Sequence, residues 1–203
     1  MRRGLKSPGS PEEVLARNGV NVAGASEVIW QPFYDYQTLS AAGIASQRFF
    51  VDPVGTAGKT IADTNMDLSG QLPKGQRFVL TGIQVEILPG VAIAATASDF
   101  ADDVYDVVKG GALKLKIGSK DYVTQGNLMK FPPVNRLSTA AATGQAETYL
   151  YCTSSGREFA IRDLALVSNQ NFSVELLELA ALPSGVDARI GVTLNGYLYR
   201  NAQ

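Results

Sequence analysis

Histidine is absent from this chain, and cysteine occurs once, at Cys152. The first absence removes Ser-His-Asp and Cys-His nucleophilic machinery, the usual neutral-pH general base, and histidine-containing metal sites. The second excludes an internal disulfide and any multi-cysteine zinc or iron–sulfur site. Cys152 stands in the apolar stretch Thr148 to Cys152, which points to a small buried core residue. Charge of one sign is also lacking. Eighteen Lys and Arg against nineteen Asp and Glu leave a net charge of -1, so no overall field draws in nucleic acid or an acidic surface. No run approaches the ~18 consecutive apolar residues of a membrane span. Arg2 and Arg3 are followed by Gly4-Leu-Lys-Ser-Pro-Gly-Ser-Pro11, which is not the apolar core of a secretory or twin-arginine signal. Assembly in a cytoplasm is the expectation.

What is present is β-forming sequence. The hydrophobic fraction, 45%, suffices for a packed core, and 203 residues suit one domain or one domain with tails. Residues 188–200 alternate from end to end. Ile190, Val192, Leu194, Gly196 and Leu198 share one face, and Arg189, Gly191, Thr193, Asn195, Tyr197 and Tyr199 share the other. Residues 157–167 and 171–179 precede it as further strands. Earlier strands are expected at 27–30, 47–51, 76–88, 112–117, 120–124, 127–131 and 147–152. Gly82 inside 76–88 marks a bulge. Residues 31–36 read as an aromatic-rich bend, 59–68 as a strand or an ordered loop, and 134–145 as a mobile surface loop.

Two helices are expected. The first opens with Ser10 as cap, Pro11 in the first helical position and Glu13 completing a capping box, and it ends at Gly19. At about two turns it needs something to lean on. The second runs from Ser98 to Lys109 and is stopped by Gly110-Gly111, with Phe100, Val104, Val107 and Val108 forming a narrow apolar stripe. Strands do not alternate with helices, which argues against a parallel α/β sheet. No repeat of 20–50 residues is visible, which argues against a propeller or solenoid. The expectation is an all-β antiparallel sandwich: a single jelly roll of about eight to ten strands with one inserted helix. An N-terminal arm with its short helix occupies 1–20, and the sandwich occupies 21–203.

Chemistry-bearing motifs are few. Asp52-Pro-Val-Gly-Thr-Ala-Gly-Lys-Thr60 matches the end of a phosphate-binding loop. The position of its first glycine holds Pro53, which has no N–H, and no evident helix follows. A glycine-rich connection with an exposed lysine is the favoured reading, and a nucleotide hydrolase using Lys59 the disfavoured one. Asp99, Asp102, Asp103 and Asp106 cluster at a helix start, where macrodipole and solvation explain them without a calcium ion or a catalytic role. No cofactor, metal site or catalytic set is expected. Arg2, Arg3 and Lys6 could touch nucleic acid only weakly and in a salt-sensitive way. Trp30, Phe33, Tyr34 and Tyr36 suit core, a protein interface or a sugar platform. These seven residues, three basic and four aromatic, are the candidate partner interface.

Residues 169–176, with 190–200, 61–66 and 77–85, resemble strands of jelly-roll structural proteins from icosahedral bacteriophages. That resemblance implies a coat or capsid-associated virion protein, non-enzymatic, meeting copies of itself and other virion proteins through sandwich edges, loops and the N-terminal arm. The arm is less basic than in many genome-packaging coat proteins, which fits a shell protein acting beneath or beside others, or lining a membrane. The alternative is a carbohydrate- or receptor-binding sandwich module of a phage.

Overall fold

The computed structural model describes residues 11–17, 19, 27–90, 97–131, 136–140, 149–153 and 158–200. The expectations for Arg2, Arg3, Lys6, Ser10 and the Cys152 side chain lie outside what it describes. Among the described residues are two α-helices and eleven strands. In chain order these are α1 (Pro11–Arg17), β1 (Glu27–Trp30), β2 (Phe33–Leu39), β3 (Ile44–Phe49), β4 (Arg77–Leu88), α2 (Ala97–Gly110), β5 (Ala112–Ile117), β6 (Lys120–Asn127), β7 (Arg136–Ala140), β8 (Tyr149–Thr153), β9 (Phe159–Val167), β10 (Phe172–Leu179) and β11 (Ala188–Arg200).

The protein is an all-β antiparallel sandwich. One sheet runs β1-β11-β4-β9. β2 lies in line with β1 on the same edge of β11, and the amide of Gln31 bonds the carbonyl of Gly196 at the joint between them (3.2 Å). The second sheet runs β3-β10-β5-β6, and β7 and β8 form a separate hairpin. The core lies between the two sheets. Phe33, Phe78, Ile83, Val85, Val192 and Leu194 of the first belong to one buried cluster with Phe49, Leu113, Leu115, Phe172, Val174 and Leu176 of the second. The β2 and β3 edges are tied together by side chains. Gln47 donates to the Thr38 carbonyl (2.9 Å) and to Gln37 Oε1 (3.0 Å), and Gln37 donates to the Arg48 carbonyl.

The bulge expected at Gly82 is present, with the register between β4 and β11 slipping as Asn195 faces Gly82 and Gly196 faces Leu80. Thr81 is the extra residue, and its hydroxyl donates to the Asn195 carbonyl (3.1 Å). The insertion flips the inward parity of β4, so Phe78 and Leu80 point inward before it and Ile83, Val85 and Ile87 after it.

α2 spans Ala97–Gly110, one residue beyond the expected Ser98–Lys109 at each end, and Val107 with Val104 and Val108 packs on the core. Gly19, at φ +69°, ends α1 with its amide on the Ala16 carbonyl (3.0 Å). Three expectations are corrected. Residues 33–39 form strand β2 rather than a bend, because β11 offers them a register from Phe33↔Leu194 to Leu39↔Ala188. Leu128–Lys130 is a 3-10 turn rather than part of a strand. Residues 136–140 form β7, paired with β8, rather than a loop.

Candidate functional site

Period-two alternation puts Val28, Trp30, Tyr34 and Tyr36 on the outer face of the first sheet, beside Arg189, Gly191, Thr193, Asn195, Tyr197 and Tyr199 of β11. One end of this face is covered. Val14 and Leu15 of α1 bury against Val79, Ala165 and Tyr199, and the Tyr199 hydroxyl donates to Glu12 (3.0 Å). The two-turn helix therefore leans on the sheet. Burial, reinforced by Glu12, holds the Tyr199 pKa well above the ordinary phenol value.

Beyond the helix the face is aromatic and open. Trp30 is 54% exposed and Val28 48% exposed, both on edge strand β1. The Trp30 ring stands edge-on to Tyr197, centroids 5.1 Å apart at 77°. Tyr34 donates to the Ile61 carbonyl (2.6 Å), and its ring lies 6.1 Å from that of Tyr36. Tyr36 lies over Gly191, where a Cβ would come within 2.3 Å of two ring atoms. Its hydroxyl donates to Glu86, and the Arg189 guanidinium sits 4.7 Å from its ring centroid. Burial first, then Glu86, raises the Tyr36 pKa far above its usual value, so the phenol stays protonated. Phe33, the fourth aromatic of the sequence cluster, points the other way. It is buried, with its ring centroid 4.8 Å from that of Phe78. The face is thus a row of fixed rings with hydrogen-bonding neighbours, suited to contact rather than to proton transfer.

A cleft of about 640 Å³ lies where β2 and β11 meet the 52–63 segment, lined among others by Tyr36, Asp52, Lys59, Asp63, Asp187 and Arg189. Both of its cations are engaged. Arg189 binds Asp63 (2.9 Å) and the Ala62 carbonyl (2.7 Å). Lys59 turns inward to Asp35, with side chains 11% and 0% exposed. This corrects the exposed lysine expected from the glycine-rich connection. The amide of Gly55 bonds the Lys59 carbonyl (2.9 Å), that of Lys59 the Thr56 carbonyl (3.0 Å), and that of Thr60 the Asp63 carboxylate (2.9 Å). Those three amides are consumed inside the segment rather than turned toward a phosphate.

Asp103 also departs from expectation. It is not solvated but buried, accepting the Ser184 amide (2.9 Å) and hydroxyl (2.7 Å), and so ties α2 to the loop before β11. Among the described residues no group of three or more His, Cys, Asp or Glu is placed to hold a metal ion. Among them, too, no helix is long and apolar enough to cross a membrane, which says nothing of strands. The sequence reading missed Asp35. Its signal was the inward spacing Phe33, Asp35, Leu39, visible only once residues 33–39 are taken as a strand. No family model, curated protein or solved structure matches the chain.

Proposed function

We propose that this chain is a structural virion protein, a capsid or capsid-associated shell subunit that assembles with copies of itself and with other virion proteins in a host cytoplasm, and that it is not an enzyme. The observation that carries the reading is the strand order. Taken from the edge where β2 and β3 are tied, the sheets read β2-β11-β4-β9 and β3-β10-β5-β6. Consecutive strands β2/β3, β10/β11 and β4/β5 thus hold matching positions in the two sheets. β6 and β9 match as well, with only the β7–β8 hairpin between them in the chain. That correspondence supports the reading of a single jelly roll, in which one long antiparallel ribbon wraps into two layers. Shell building asks such a body for stiffness and for self-recognising surface, since closed symmetry repeats every contact. The pinned rings of Trp30, Tyr34 and Tyr36 supply the surface. The glutamine-tied β2/β3 edge keeps that side from open-ended strand pairing.

Negative-stain electron microscopy of the purified chain, alone and over rising concentration, tests the reading. Closed particles or regular arrays support it, and a field of single molecules at every concentration counts against it.

A second reading rests on Trp30 alone. A half-exposed indole braced by a tyrosine, among polar neighbours, is also a platform for a sugar ring. A glycan-array signal abolished by Trp30→Ala or Tyr34→Ala would favour a carbohydrate- or receptor-binding module.

A further inference from the structure

On the outside of the second sheet, away from the aromatic row, a pocket of about 280 Å³ opens at the end of three neighbouring strands. Arg48 of β3, Ser173 of β10 and Lys116 of β5 line it, with Ser69, Gly118 and Asn171 from adjoining loops. Every one of these side chains that carries polar atoms can donate a hydrogen bond, and no carboxylate is in the lining.

The acids that could neutralise the two cations are largely spent elsewhere. Asp121 stands opposite Lys116 in the β5–β6 register but pairs with Lys114 (3.0 Å). Among the described residues Lys116 therefore has no ion pair. Glu175 reaches Arg48 only at 4.0 Å, and the same oxygen accepts the Ser46 hydroxyl (2.6 Å). The Oδ1 of Asn171 accepts from Gln71, which leaves its Nδ2 to donate. The backbone around the pocket is fixed: Gly70 bonds the Phe50 carbonyl (2.7 Å), Phe172 bonds Gly70 (2.8 Å), and Gly118 bonds Asn171 (2.7 Å).

We infer that this pocket binds a phosphate-class oxyanion, free or as the terminal group of a phosphomonoester. Two cations and several neutral donors around one open depression complement a compact tetrahedral anion. The volume, about 280 Å³, lies just below the roughly 300–1,000 Å³ that drug-sized ligands occupy, so a phosphate group fits with room for water or for the body of its ester. Guanidinium and ammonium give charge-assisted contacts, the hydroxyls and the amide complete the shell, and the site weakens as salt rises. The inference is independent of whether the chain assembles.

The test is an amide chemical-shift titration of the full chain with inorganic phosphate at constant ionic strength, with chloride as control anion and a 5′-mononucleotide as a second ligand. Saturable shifts at Ser69, Gly70, Gly118 and Ser173 are expected. Arg48→Gln and Lys116→Gln should each weaken phosphate roughly tenfold, and Lys109→Gln, at the end of α2 beside the opposite end of β5, should not. Saturation by phosphate alone identifies a free-ion site, and saturation by both ligands a site that also takes a tethered phosphate. The Arg48 side chain is 62% exposed, so its variant should keep the wild-type unfolding midpoint, which is measured alongside. Shifts that rise without saturating, or that weaken equally in Lys109→Gln, would overturn the inference.

Discussion

Asp35 is the most consequential single side chain in the described structure. A fully buried carboxylate is costly unless it is paired and hydrogen-bonded. Here Lys59 pairs with it, Gln37 donates to it (3.5 Å), and the Phe50 amide donates at 2.6 Å. That last bond holds Phe50 at φ +67°, a region rarely occupied by a residue with a side chain. One carboxylate thus ties β2, the end of β3 and the 52–60 segment together. Asp35→Ala should cost about 3–5 kcal/mol, because it leaves Lys59 buried without its partner, and adding Lys59→Met should recover part of that loss. Urea unfolding of the two variants measures both. Equal losses in single and double variants would show that the lysine is indifferent to the aspartate.

Two aspartates respond to pH in opposite senses. Burial, outweighing Lys59, raises the Asp35 pKa above its ordinary value. Its contribution is therefore fully present below the unfolded pKa and is lost as pH rises through the higher folded value. The amide and hydroxyl of Thr60 lower the Asp63 pKa. Its contribution is present above the ordinary aspartate value and is lost as pH falls through the lower folded value. Asp63→Asn should therefore make the acid limb of a stability–pH curve less steep, whereas Asp35→Asn should not. At this scale little was legible in advance. Asp35 and Lys59 lie twenty-four positions apart, and neither has a local pattern that names the other.

At the scale of elements, local signals were read well and distant pairing poorly. β11 stands where alternation put it, and α2 ends where Gly110-Gly111 stops it. A glycine inside an otherwise strand-like run, Gly82, marked the bulge. β2 was hidden because Pro32 and its aromatics look like a bend, and only a partner some 160 positions away, Leu194 for Phe33, makes them a strand. Residues 136–140 were hidden for the same reason, since Ser/Thr/Ala composition is loop-like until β8 pairs with it. α1 is a case of tertiary support. Seven residues do not hold a helix in water, so its order depends on Leu15 docking beside Tyr199. Leu15→Ala should abolish hydrogen-exchange protection of the α1 amides while β4 and β11 keep theirs. Unchanged protection in α1 would mean that the helix stands without its sheet. Gly191→Ala acts between elements: the new methyl would meet the Tyr36 ring that Arg189 and Glu86 hold in place, costing about 1–3 kcal/mol in urea unfolding.

At the scale of the whole molecule, the all-β antiparallel sandwich was legible from the absence of strand–helix alternation together with the absence of a long sequence repeat. The placement of the aromatic cluster was legible only in part. The sequence grouped Trp30, Phe33, Tyr34 and Tyr36, but a strand sends neighbours to opposite faces, so Phe33 went to the core while the other three remained on the outer sheet face. What distinguishes a shell subunit from a solitary sandwich is whether that outer face meets another copy. Sedimentation velocity on the wild-type chain and on Trp30→Ala, across a wide concentration range, asks this most directly. The wild type is expected to shift to larger species with concentration, and Trp30→Ala to remain monomeric with an unchanged unfolding midpoint. A wild type that sediments as a monomer throughout, or a Trp30→Ala variant that associates as the wild type does, would contradict this expectation.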